Sequence, residues 1–280
     1  MRPPVTVTWR SEDEPAPGPI SGAGWLRVAG RGLVLTGMIG VGLVILGVLR
    51  LAEIVLRGGA RVWSPVPVQV FSRLALAVLG IRLRVQGRPI TGRGGMVANH
   101  ASWLDIFVLN APAQVTFVSK SEVANWPGIG FLARATGTIF IDRNARDAGR
   151  QRDILERHLL RGGQLVFFPE GTSTDGRRVL PFKSTLFAAF FTSGLPSHAA
   201  VQPVTVVYEA PRGEDPRYYG WWGDMDFGPH MLKLLAARRG GGVTVVYHDP
   251  LRLADYPDRK QMARECERRV RSGMALLPPK

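Results

Sequence analysis

One cysteine, Cys266, is all that the 280 residues contain. That excludes an intrachain disulfide and any zinc site built on several thiolates. It is compatible with a reducing compartment. Acidic residues are also few, 22 Asp and Glu against 36 Lys and Arg, for a net charge of +14. The excess points to an anionic partner: nucleic acid, anionic lipid head groups or an acidic carrier protein. No internal repeat is present, and the 33 glycines and 21 prolines are scattered, which excludes a collagen-like chain. With 45% hydrophobic residues the chain is too apolar to be wholly disordered. Its length suits one large domain or two small ones.

Charge is missing altogether from the 18 residues Gly32 to Leu49. At about 1.5 Å per residue, this run is just long enough to cross a bilayer core as a helix. Three readings compete. A signal peptide would use Arg27 and Arg31 as its basic region, but no small-x-small cleavage site follows. A buried soluble helix is the second. A retained anchor is the third and is favoured, because Arg50, Glu53 and Arg57 follow directly. A second apolar stretch, Val66 to Leu79, is broken by Gln69, Ser72 and Arg73. It suits an interfacial helix or a hairpin partner. Arginines are denser after the first run than before it, which puts the larger C-terminal part in the cytoplasm. The sequence thus divides into a disordered leader (1–24), a membrane-anchoring helical region (25–88) and a globular domain (89–280).

After Pro89, short strands alternate with helices. The apolar strand Gly95–Ala98 runs straight into Asn99, His100 and Ala101–Asp105. Five residues rotate about 140° net along a helix. His100 and Asp105 therefore meet only if His100 precedes a helix whose first turn holds Asp105, with Asn99 or Ser102 as a cap. Such a pair lets the carboxylate fix the imidazole tautomer while the other ring nitrogen takes a hydroxyl proton. A capping histidine at a strand–helix turn is the competing reading. Further on, a Trp126-Pro127-Gly128 break, a stop at Gly137 and the strand Thr138–Ile141 bring Arg143 to a strand end, as an anion clamp or an ordinary surface arginine. The strand Gln164–Phe168 ends in Pro169-Glu170-Gly171-Thr172. A turn there exposes Glu170 at the edge where α/β sites form.

Four segments carry a resemblance. NHASWLD (Asn99–Asp105), GTIFIDR (Gly137–Arg143), FFPEGT (Phe167–Thr172) and VQPV (Val201–Val204) resemble, in order, the four blocks of the glycerolipid acyltransferase superfamily. The resemblance implies a mixed-sheet α/β acyltransferase fold over the globular domain, behind the N-terminal membrane-anchoring helical segment. It implies His100 as general base, Asp105 as its orienting partner, and Arg143, Glu170, Gly171, Thr172 and Ser173 on the acceptor side, with the Gly171 turn helping to hold the oxyanion. It further implies no cofactor, no metal and no covalent acyl-enzyme. An acyl carrier protein or coenzyme A thioester is the donor, a lysolipid the acceptor, and the bacterial inner membrane the location, with the catalytic domain facing the cytoplasm. One position departs from the pattern: Ser173 stands where the family usually has a phosphate-binding arginine. The stretch FPEGTSTDGRRVLPFKSTLF is more similar to bacterial lyso-ornithine lipid O-acyltransferases, with lysophosphatidic acid as the alternative acceptor. A non-catalytic lipid-binding protein on the same fold is the alternative of another class.

Other features carry less. Asp224, Asp226 and His230 lack an established ligand spacing. Trp221 and Trp222 read as core or interfacial aromatics. Met262, Cys266, Val270 and Met274 form a packing stripe on a C-terminal helix whose arginines face solvent, anionic lipid or a carrier protein. No nucleic-acid motif accompanies the charge, so nucleic acid is not the expected partner.

Overall fold

The computed structural model describes residues 8–11, 14–15, 18–141, 148–191, 195 and 199–277. Among these, eight strands form one sheet. Its order is β1 (Arg82–Gln86), β7 (Gly242–Tyr247), β6 (Ala200–Glu209), β2 (Gly94–Ala98), β5 (Gln164–Phe167), β3 (Thr116–Lys120) and β4 (Ile139–Ile141), and β8 (Leu251–Arg252) pairs with the start of β6. The centre, β6-β2-β5-β3-β4, is parallel, while β7 and β8 run antiparallel to β6. The mixed α/β sheet expected from the sequence is therefore present.

Period-two alternation splits the core. Met96, Ala98, Val166, Val204, Val206 and Tyr208 point to the face covered by α2 (Pro65–Val78), α3 (Asp105–Asn110) and α6 (Phe227–Ala236). Val97, Leu165, Phe167 and Val201 point to the face covered by α5 (Ala148–Leu160) and α7 (Arg259–Gly273). Strands β2 and β6 are buried on both faces, which is why they read as unbroken apolar runs. Because β2, β5 and β6 are parallel, their C-terminal ends open on one edge.

The apolar run lies inside a longer helix, α1 (Gly22–Arg57), whose start is capped by Ser21. Near that start, Arg27 Nε donates to Ala236 O at 2.8 Å, and Arg31 Nη1 donates to Leu235 O and Ala237 O at 2.9 and 2.8 Å. Two guanidinium groups thus satisfy the last carbonyls of α6. At the other end, buried Glu53 accepts the N–H groups of Val62, Trp63 and Ser64 at 2.7, 2.6 and 2.8 Å, and Arg50 donates to its second oxygen at 2.7 Å. This turns the chain into α2, where proline at the first position needs no N–H partner. Arg73 ties α2 to Ala111 O at 2.7 Å. Both ends of α1 therefore rest on one globular domain, while Leu33, Val41, Val44, Val48 and Val55 between them stand largely in the open. In length and composition α1 meets the requirement for crossing a membrane.

The expected boundaries shift. The helical region begins at Gly22 and ends near Leu79, because β1, placed by the sequence inside the anchoring segment, is the edge strand of the eight-stranded sheet. The segment read as a disordered leader is partly docked. Trp9 donates its backbone N–H to Thr172 Oγ1 at 3.3 Å, and Arg10 pairs with Asp224 at 3.0 Å.

Candidate active site

The site forms where β2 leaves the sheet. Asn99 does not cap α3. Its side-chain amide pairs with the backbone of Val206, accepting at 2.8 Å and donating at 2.9 Å. This adds one side-chain rung between β2 and β6 and lets the backbone turn away at His100. The next turn closes on Asp105, the first residue of α3. Asp105 Oδ2 accepts the N–H groups of Ala101 and Ser102 at 2.8 and 3.0 Å and lies 2.7 Å from His100 Nδ1. Tyr208 O–H donates to Asp105 Oδ1 at 2.7 Å. Four donors converge on a carboxylate with 0% exposure, so both of its buried oxygens are satisfied. A carboxylate cannot donate, so the His100 proton sits on Nδ1 and Nε2 keeps its lone pair. The imidazole lies flat on Phe168, centroids 4.0 Å apart and planes 12° apart, with its side chain 22% exposed. That is the geometry of an oriented base open to a ligand on one side.

Tyr208 escaped the sequence reading. It lies two residues beyond Val206 and four beyond Val204 on the face of Ala98, so period-two counting from the VQPV block leads to it. Burial and the neighbouring Asp105 anion push its hydroxyl well above the ordinary value, which keeps it a donor.

The third block lies against His100 but uses its residues differently from expectation. Glu170 is 1% exposed, and its two oxygens accept the N–H groups of His100 and Leu180, each at 2.7 Å. It therefore holds the backbone beneath the imidazole. Burial pushes its carboxyl up to about 8, against the pull of these two donors. Gly171 adopts φ 74°, which a side chain rarely tolerates, and commits its N–H to Phe168 O at 3.0 Å, so that N–H is not an open oxyanion donor. Thr172 is buried under Trp9, and Ser173 is half-buried beside it. Thr174 N–H donates to His100 O at 2.9 Å, which joins this loop to the His100 backbone. Arg143 lies outside the described residues.

Two residues weighed as metal ligands are otherwise engaged. Asp224 pairs with Arg10, and His230 Nδ1 accepts the indole N–H of Trp103 at 3.0 Å. Burial lowers His230 to about 3, which keeps it neutral and able to accept.

Comparison with known proteins identifies the family. The acyltransferase family model matches residues 82–207, which carry all four blocks. A lyso-ornithine lipid O-acyltransferase of Rhodobacter capsulatus is 52% identical over 266 residues, covering 95% of this chain and 96% of that protein. One of Brucella abortus is 38% identical over 214 residues, 72% of this chain and 79% of that one. The crystal structure of the 1-acyl-sn-glycerophosphate acyltransferase of Thermotoga maritima aligns with a TM-score of 0.64 at 22% identity, covering 92% of this chain and 98% of that one, and shares the fold. Similarity of this extent, with an oriented His–Asp pair inside the matched segment, means that the chain belongs to the acyltransferase family and is an acyltransferase.

Proposed function

We propose that this enzyme transfers a fatty acyl group from a thioester to the free hydroxyl of lyso-ornithine lipid. The reaction reading is carried by the His100–Asp105 pair, bonded at 2.7 Å. The acceptor is supported by the near end-to-end similarity to the Rhodobacter capsulatus enzyme and by Ser173, which offers no cation for a phosphate. In this reading the acceptor hydroxyl gives its proton to His100 Nε2 as its oxygen attacks the thioester carbonyl. Asp105 stabilises the imidazolium. Collapse of the tetrahedral adduct breaks the C–S bond, and the imidazolium returns the proton to the departing thiolate. Ester and thiol are the products. The donor is an acyl thioester of acyl carrier protein or coenzyme A. Ser173, Thr172 and Arg143 belong to the acceptor side. Glu170 and Gly171 serve it indirectly, by fixing the loop.

The open apolar surface of α1, paired with α2, suits the bacterial inner membrane, with the catalytic domain on the cytoplasmic side. Attachment of both helix ends to one domain favours a hairpin seated from that side over a domain separated from its leader by the bilayer.

The test uses purified protein and one acyl thioester with lyso-ornithine lipid or lysophosphatidic acid. Wild type is expected to acylate the former. Ser173→Arg is expected to move the preference toward phosphate by roughly ten- to a hundredfold, the worth of one charge-assisted contact. Activity confined to lysophosphatidic acid would overturn the acceptor. Thioester consumption independent of any lysolipid would overturn the reaction.

A further inference from the structure

Arg178 is 53% exposed along its side chain yet is held like a buried residue. Its Nε and Nη2 donate to the two oxygens of Asp175 at 3.1 and 2.9 Å, and that carboxylate is 4% exposed. The face of the guanidinium is covered by Trp9, with Cζ 4.8 Å from the ring centroid. The Trp9 ring leans in turn on buried Trp222, centroids 6.0 Å apart. Trp9 reaches this position because its N–H bonds to Thr172 and because the Arg10–Asp224 pair follows it. The Glu14 carboxylate lies against the open side of Gly223 in the same loop as Trp222.

A surface arginine ordinarily samples many rotamers, and immobilising it weakens any ligand it binds. Here the edge is fixed by Asp175 and the face by Trp9 before a ligand arrives. Nη1 has no protein partner among the described residues. The segment that carries this group touches the catalytic base, since Thr174 bonds through its N–H to His100 O and through its hydroxyl to Arg178 O at 3.4 Å. An oriented cation edge therefore stands on the loop where the acceptor head group is expected, five residues beyond Ser173.

We propose that Arg178 receives the anionic group of the acceptor head, in place of the arginine absent at position 173, and that Trp9 is its positioning residue. This rests on the acceptor reading given above. The chemistry favours a carboxylate. The Arg178–Asp175 pair is formally neutral, so it offers directed N–H donors to a single negative charge. It lacks the surplus positive charge that a phosphomonoester carrying nearly two charges calls for.

The experiment compares lyso-ornithine lipid with its carboxyl methyl ester, the donor saturating. Wild type is expected to show an acceptor KM about tenfold lower for the free acid. Arg178→Ala should have one KM for both, with kcat and donor KM little changed. Trp9→Ala should raise the KM of the free acid about two- to fivefold, and Trp9→Phe should restore it by returning a ring beneath the guanidinium. An Arg178→Ala enzyme that still separates acid from ester by the wild-type factor overturns the proposal. So does one that loses kcat with both KM values unchanged. If wild type uses lysophosphatidic acid and not lyso-ornithine lipid, the acceptor reading alone fails. The KM of Arg178→Ala for lysophosphatidic acid then decides: a raised value upholds the anion-binding role, and an unchanged value overturns it.

Discussion

Replacing Asp105 by Asn isolates the charge of the proposed catalytic pair from its geometry. Oδ2 takes three donors, from His100, Ala101 and Ser102, whereas Oδ1 takes one, from Tyr208. An asparagine that puts its carbonyl oxygen at the Oδ2 position keeps all three of those bonds. Its amide group then faces Tyr208, whose hydroxyl can rotate and accept. The imidazole tautomer and ring position survive, so the loss is the negative charge opposite the imidazolium. For unit charges about 4 Å apart at an effective dielectric of 20, that interaction is about 4 kcal/mol, or roughly a thousandfold in rate. Thermal stability should fall by only about 1 kcal/mol, because one hydroxyl changes roles. Asp105→Ala, by contrast, strands buried donors and should lose stability as well as activity. The assay is kcat with both substrates saturating, over a pH series, beside a melting curve of each variant. A kcat within tenfold of wild type would refute the electrostatic role. Asn and Ala variants that melt together would refute the orientation.

Three further outcomes follow from the same geometry. Tyr208→Phe removes the one donor to buried Asp105 Oδ1; the carboxylate that orients His100 is then held by one bond fewer, so kcat should fall about tenfold, while an unchanged kcat would show that Tyr208 only fills space. Glu170, raised by burial to about 8 from 4.5, stabilises the fold in its neutral form, so that contribution is full below the ordinary value and is lost as pH rises toward 8, by at most about 1.4 kcal/mol per pH unit; wild-type melting temperature should decline across that window relative to Glu170→Gln, and parallel curves would refute it. Glu53→Ala strands three backbone donors and Arg50 at the α1–α2 turn; a loss of about 3 kcal/mol or more, read as rapid proteolysis within residues 58–64, is expected, and wild-type resistance would show that the turn holds without it.

What the sequence made legible was local. His100 and Asp105 are joined by a strand–turn–helix signal a few residues long, and the structure closes it as read. The breaks at Trp126–Gly128 and Gly137 fall before and after α4 (Ile129–Thr136), where chain chemistry alone requires them. Features that depend on distant partners were not legible. Glu170 reads as an exposed carboxylate at a strand end until Leu180 folds back over it. Tyr208 belongs to the site only once β6 pairs with β2, an alignment that no local pattern specifies. Trp9 sits in a Pro- and Gly-rich leader, and composition cannot reveal that a single aromatic there has a buried tryptophan to lean on. The apolar run announced α1, but its attachment at both ends depends on carbonyls of α6 and on a turn beyond the run.

The Asn99–Val206 rung has a consequence for how the enzyme comes into being. It joins residues 107 apart, and the Tyr208–Asp105 bond joins residues 103 apart. Closing so long a loop is slow relative to local events. A chain still on the ribosome holds His100 and Asp105 a few residues apart but has no β6 to brace them. Catalytic competence therefore arrives late in synthesis, after the apolar N-terminal helix has long been available to seek its place. A truncated product that stops before Val206 carries the helix without the chemistry.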